Sequence, residues 1–340
     1  MASGGGASSP RKELCLLALD GGGVRGLSSL YILKQLMESI DPEAEKTPLP
    51  CEYFDMIGGT STGGLIALML GRLGMSVDEC IAEYTALSSE VFTHLQRRMD
   101  WKFRLQGRFD HKSLEKRIKA LLVERGEDPD ALLSSPNSSC KTKQTSDTVV
   151  LSSYFSRRRG LDMLNTVKFW EAARATSAAT TFFDDIKIGG EGFVDGATGQ
   201  NSPIATMWTE AGDIFKQKGA AGWRLEDHVQ CFVSIGTGVP SLQAFGESLL
   251  DVAKTIASIA TDSMTAAEDF QRHHSNMVSG NRFFRFNVQR GLETVGLEEA
   301  KKQDEIKAAT RKYIQEEVTF NHLERCAENL QERECGSLFA

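Results

Sequence analysis

The sequence predicts an α/β fold built on a largely parallel sheet. Three stretches carry this expectation. "LCLLAL" at 14–19 is a short, continuous apolar run that ends in a glycine-rich loop and leads into a helical pattern. "YFDMIGG" at 53–59 is a second short run, followed by a tight turn of small residues and another helical pattern. "CFVSIGTG" at 231–238 again ends an apolar run in glycine. Strand, loop, helix, strand, turn, helix is the order that places strands side by side and parallel.

The remaining elements follow in order. "GLSSLYILKQLMESI" puts Leu27, Leu30, Tyr31, Leu33, Leu36 and Met37 on roughly one helical face. "DPEAEKTPLP" reads as a loop. Gly63 to Leu73 reads as a buried helix, and 78–92 and 111–124 as amphipathic ones. Residues 126–148 are polar and loop-like. A strand is expected in "VVLSSYF" (149–155) and a helix over 166–183. Residues 242–273 and 292–333 are mostly helical in pattern, with no internal repeat. This organisation predicts a disordered leader over 1–12, one domain over 13–335 and a short tail over 336–340.

Composition excludes several classes. With 340 residues, 41% hydrophobic and 25% charged, the chain can bury a sizeable core. Its net charge of −7 argues against nucleic acid as a partner of the whole molecule. No run approaches the roughly 20 apolar residues of a membrane span. "MASGGGASSPRKE" lacks the apolar centre of a signal peptide. Seven cysteines without a C-x-x-C pair read as reduced thiols in a cytoplasmic protein. The six histidines form no H-E-x-x-H, so no metal is expected.

The first glycine loop contains Gly21-x-Gly23-x-x-Gly26, the dinucleotide-binding spacing. The acidic residue expected about 20 positions on is misplaced: Glu38 and Asp41 fall at the helix end and in the loop. Leu27 stands where a P-loop needs its lysine. The loop alone is a weak signal, and a plain strand-to-helix turn explains it as well.

A second signal changes its meaning. Gly59-Thr60-Ser61-Thr62-Gly63 is a G-x-S-x-G between a strand and a helix, the context of a nucleophile elbow. A sharp turn there exposes the serine hydroxyl and leaves no room for side chains at Gly59 and Gly63. Acyl transfer through a serine creates an oxyanion, which needs backbone N–H donors from a second loop. "DGGG" could supply them if its strand lies beside that of Ser61. The serine also needs a base. His228, His273, His274 and His322 follow it, but none sits in a glycine-bounded strand-end loop. Asp195, in "GFVDGATGQNSP", is the better candidate.

"DGGGVRG", "GTSTGG" and "DGA", in that order, resemble the patatin-like phospholipase family. "ARATSAATTFF" and "SIGTG" match further blocks, and "FFRFNVQRGLETVGLEEAKKQDEIKAATRKYI" is similar to the C-terminal part of fungal members. The resemblance covers nearly all of residues 13 to 333. It implies a three-layer α/β/α sandwich with C-terminal helices and a Ser–Asp dyad, with Ser61 as nucleophile and Asp195 as base. It puts Gly22 and Gly23 in the oxyanion hole, supported by Gly21, Gly26, Gly59, Gly63 and Gly196. Arg25 is either structural or close to a substrate phosphate. The implied reaction is hydrolysis of a fatty-acyl ester of a glycerophospholipid or related lipid through an acyl-serine, without calcium or any other cofactor.

One departure stands out. In the family a Cys-Lys-Thr such as Cys140-Lys141-Thr142 opens an apolar strand, whereas here it runs into polar "KQTSDT". Either this is natural loop variation, or a sheet strand is missing after Thr142. The alternative function is accordingly a catalytically impaired effector or scaffold. Finally, "RRMDWKFRLQGRFDHK" (97–112) interleaves Trp101, Phe103 and Phe109 with Arg104 and other cations. This suits either transient contact with an anionic membrane surface or a linker whose aromatics enter the core.

Overall fold

The computed structural model describes residues 14–91, 110–134, 140–146, 149–156, 163–178, 186–193, 201–216, 222–239, 263–297 and 299–332. Strand β1 (Leu14–Leu19) is followed by a single 3-10 turn and by α1 (Gly26–Ile40). After the short α2 (Pro50–Tyr53) come β2 (Met56–Thr60) and α3 (Thr62–Ala67), which runs on through a π-helical turn to Arg72. Then follow α4 (Val77–Val91), α5 (His111–Glu124), β3 (Lys141–Ser146), β4 (Val149–Ser152) and α6 (Phe169–Thr176). A small hairpin, β5 (Ile186–Ile188) and β6 (Glu191–Phe193), precedes α7 (Ile204–Phe215), α8 (Leu225–His228) and β7 (Val229–Ile235). Helix α9, described over 263–273, leads to α10 (Ser275–Ser279), β8 (Phe283–Phe286), α11 (Gln303–Gln315) and α12 (Glu317–Gln331).

The central sheet has the order β4-β3-β2-β1-β7-β8. All its neighbours are parallel except β4, which runs antiparallel to β3. The six residues of β1 are all buried, and they alternate between two cores. Cys15, Leu17 and Leu19 join α1, α4, α5, α6, α11 and α12 on one face. Leu14, Leu16 and Ala18 join α7, α9 and α10 on the other. A continuous apolar run is what a strand covered on both faces requires, and the layers are those of an α/β/α sandwich with C-terminal helices.

The reading of a missing strand after Thr142 is corrected. Residues 141–146 form β3, paired in register from Met56↔Lys141 to Thr60↔Thr145. Strand pairing uses the backbone, so a polar stretch can fill a sheet position when its neighbours supply both ladders. Thr142 and Lys143 are buried there, and Thr142 exchanges bonds with Ser153 through its N–H and its carbonyl. The outer edge of β2, which carries Ser61 at its end, is thus covered. Among the described residues no helix is long and apolar enough to cross a membrane.

Candidate active site

Ser61 is the hinge between β2 and α3. Its φ of 53° and ψ of −126° lie where side chains other than glycine are strained. The neighbours that allow this bend have no side chains. A methyl group on Gly59 would overlap the Gly63 carbonyl, and one on Gly63 would overlap the Leu19 carbonyl at the end of β1. The first turn of α3 therefore packs directly on the end of β1, as the parallel pairing Leu19↔Gly59 requires.

The glycine loop that leaves β1 lies against this elbow. A methyl group on Gly21 would sit 3.0 Å from Ser61 Cβ. The condition set by the sequence, that the two strands be neighbours, is met.

The loop is held at almost every residue. Asp20 N–H donates to the Ile235 carbonyl, and Gly21 N–H to the Asn201 carbonyl, at 3.0 and 3.2 Å. The Gly21 carbonyl accepts from Thr237 Oγ1 at 2.9 Å and from Asn201 Nδ2 at 3.2 Å. Gly22 N–H donates to Thr62 Oγ1 at 3.1 Å. Tyr84 Oη donates to the Gly23 carbonyl at 2.7 Å. Val24 N–H donates to the Leu297 carbonyl at 2.8 Å. Gly23 has φ 57°, and a side chain there would strike that same carbonyl. Gly26 sits against the Tyr84 hydroxyl, 3.1 Å from where a methyl group would be. On the elbow side, the Ser61 carbonyl accepts from Thr176 Oγ1 and from Leu65 N–H, each at 3.1 Å.

Arg25 lies behind the loop and is 1% exposed. Burial lowers its pKa to about 10, which leaves it a cation at neutral pH. Its Nε and Nη1 have no hydrogen-bond partner among the described residues. It shares a chamber of about 10 Å³ with Asp20, Asn201, Thr237 and Arg285. Arg285 closes the other side with an ion pair to Asp20 of 2.6 Å. Such a chamber holds one water-sized molecule and no phosphate headgroup.

Of the sequence-predicted residues, Ser61, Gly21, Gly22, Gly23, Arg25, Gly26, Gly59 and Gly63 are brought together. Asp195 and Gly196 lie outside the described residues, as do Trp101, Phe103 and Arg104. Thr62, Tyr84, Thr176, Asn201 and Thr237 were not singled out from the sequence. Thr176 and Thr237 lie inside the blocks "ARATSAATTFF" and "SIGTG", and Asn201 lies six positions after Asp195. Those blocks hold one another's backbones, which is a signal the sequence does contain. Tyr84 sits in an ordinary amphipathic pattern and carries no such mark.

A sequence model of the patatin-like phospholipase family matches residues 17–208, the span from β1 into α7. The chain belongs to this family. Its relatives include the calcium-independent phospholipase A2-gamma of Rattus norvegicus, 29% identical over 315 residues, covering 88% of this chain and 38% of that protein. Phospholipase A I of Arabidopsis thaliana is 25% identical over 339 residues, covering 82% of this chain and 25% of that protein. The chain thus spans well under half the length of these phospholipases. Among solved structures, VipD from Legionella pneumophila aligns over 90% of this chain and 68% of its own, with 12% identity and a TM-score of 0.38.

Proposed function

We propose that this chain hydrolyses fatty-acyl esters of glycerophospholipids or related lipids through an acyl-serine on Ser61. The single observation that carries the reading is the strained turn at Ser61, held against the Gly21–Gly23 loop. Such a bend costs about 1–3 kcal/mol and persists where the surroundings demand it. Presenting a nucleophile beside backbone donors is a use that fits it.

In this reading Ser61 Oγ attacks the ester carbonyl carbon and its proton passes to the Asp195 carboxylate. The carbonyl oxygen becomes an oxyanion, facing the Gly23 N–H of the glycine loop and the N–H of Thr62. Collapse breaks the ester bond, and Asp195 returns the proton to the departing lysolipid oxygen. Water, deprotonated by Asp195, then attacks the acyl-serine; collapse breaks the bond to Ser61 Oγ, Asp195 returns the proton to that oxygen, and the fatty acid is released. An aspartate with an ordinary pKa near 3.9 is a weak base, so close placement of the two groups must compensate. No step needs a metal, in keeping with the calcium-independent name of the rat relative. Arg25 supports the loop from behind with its positive charge. Contact with lipid is peripheral, and Trp101, Phe103 and Arg104 are the proposed contact residues of a cytoplasmic enzyme.

The test is covalent labelling with a fluorophosphonate, followed by product mass spectrometry on a panel of phospholipids. The expected result is one label on Ser61, release of free fatty acid without added calcium, and loss of both in Ser61→Ala. Asp195→Asn should lower turnover by at least about 100-fold, the scale of lost general-base catalysis. Labelling that survives Ser61→Ala would remove the assignment.

A further inference from the structure

We infer that Thr62 and Tyr84 are positioning residues of this centre, which clamp the Gly22–Gly23 segment at both ends and leave the Gly23 amide as its open donor. The inference rests on the acyl-serine reading of Ser61.

Two direct hydrogen bonds hold this segment. Tyr84 has one hydroxyl proton, and its Oη lies 2.7 Å from the Gly23 carbonyl, which can only accept. That proton is committed. Gly22 N–H donates to Thr62 Oγ1 at 3.1 Å. Burial pushes the Tyr84 phenol up, which keeps its proton in place across the working range.

The two bonds constrain the peptide between the two glycines. Its carbonyl, that of Gly22, accepts from Arg25 N–H at 3.2 Å. Across a trans peptide the Gly23 N–H points the opposite way. That N–H has no acceptor among the described residues. Two amides that look alike in "DGGG" therefore have different work. Gly22 N–H anchors the loop to the residue next to Ser61, while Gly23 N–H remains for charge that develops on the substrate. Thr62 links nucleophile and donor loop, and Tyr84 from α4 ties that loop to the fold.

The experiment measures kcat and KM for p-nitrophenyl butyrate with the full chain and with Thr62→Val, Thr62→Ser, Tyr84→Phe and the Thr62→Val/Tyr84→Phe double variant. Melting temperature and amide exchange over residues 20–26 are followed in parallel. Removing an oxyanion donor outright costs about 100- to 1000-fold. Misaiming one should cost roughly 10- to 100-fold in kcat, with KM within about twofold. Thr62→Val and Tyr84→Phe should each show this loss, together with faster exchange at Gly22. Thr62→Ser, which keeps the hydroxyl, should stay within about threefold of wild type on both readouts. The double variant should lose at least as much as the poorer single, because each side chain holds its own end of the same peptide.

Singles within about threefold of wild type in kcat would overturn the inference. So would a loss in Thr62→Ser equal to that in Thr62→Val, or losses that track melting temperature. If Tyr84→Phe does not fold, the Val and Ser variants at Thr62 still decide. A wild-type chain that neither turns over the ester nor takes a fluorophosphonate overturns the acyl-serine reading and this inference with it. An active wild type with unaffected variants overturns this inference alone.

Discussion

Ser61 and its glycine neighbours show how a side chain is placed by what surrounds it. The serine holds a positive φ because Gly59 and Gly63 let the first turn of α3 fall onto the end of β1. That strain can be read in stability. Alanine and glycine at position 61 both remove the hydroxyl, but only glycine accepts φ 53° without a clash between Cβ and the backbone. In most settings Gly for Ala destabilises by about 0.5–1 kcal/mol. Here the order should reverse, with Ser61→Gly more stable than Ser61→Ala by about 1 kcal/mol in urea unfolding. A higher midpoint for Ser61→Ala would mean that the bend is not imposed by its neighbours.

At the scale of elements, the strands and helices that feed the site were readable wherever burial is continuous. β1, α1, β2 and β7 appear where apolar runs and helical spacing placed them, and α5 covers the expected residues 111–124. The helix expected over 166–183 is observed over Phe169–Thr176, and 179–185 lie outside the described residues. β3 was not readable because its place comes from its neighbours. Polar "KTKQTS" has no strand pattern of its own, yet it lies between β2 and β4. β8, "FFRF", was missed for a different reason. Its four residues are too few to show a period, and their assignment depends on the free edge of β7. The glycine loop was readable as a loop, but its ligand was not, since the spacing serves a phosphate and an oxyanion alike. The decision came from a second loop 40 residues on. If β3 belongs to the cooperative sheet, Thr142→Pro should be costly. It removes a buried donor that bonds Ser153 Oγ at 3.0 Å, for about 3 kcal/mol. In thermal unfolding the midpoint should fall by several degrees. A change of less than about 2 °C would put residues 141–146 outside the folding unit.

Across the whole molecule, the C-terminal helices close one face of the sandwich, and a histidine sits in that closure. His322 of α12 lies over Phe284 and Phe286 of β8, with ring centroids 5.0 and 5.1 Å apart. Burial, and to a lesser degree the neighbouring charge of Arg325, lowers its pKa. His274 of the opposite layer is lowered as well, mainly by burial against a weaker opposing pull from Glu226. Trp208 and Phe270 pack around it. In the unfolded chain both titrate near 6.5. Above that pH they are neutral in both states, and burying the neutral rings is fully favourable. As pH falls below about 6.5 the unfolded chain takes up protons that the folded chain resists, so stability declines toward the lowered folded values. The two histidines lie on opposite faces of the sheet and share no partner, so their effects should add. Melting temperature measured from pH 7.5 to 5.5 should therefore fall for wild type, less steeply for His322→Gln, and least for the His274→Gln/His322→Gln pair. The glutamines give up aromatic packing, so the double variant should be less stable at pH 7.5, and the slope carries the test. Equal slopes in all three proteins would show that neither layer closes over a neutral histidine.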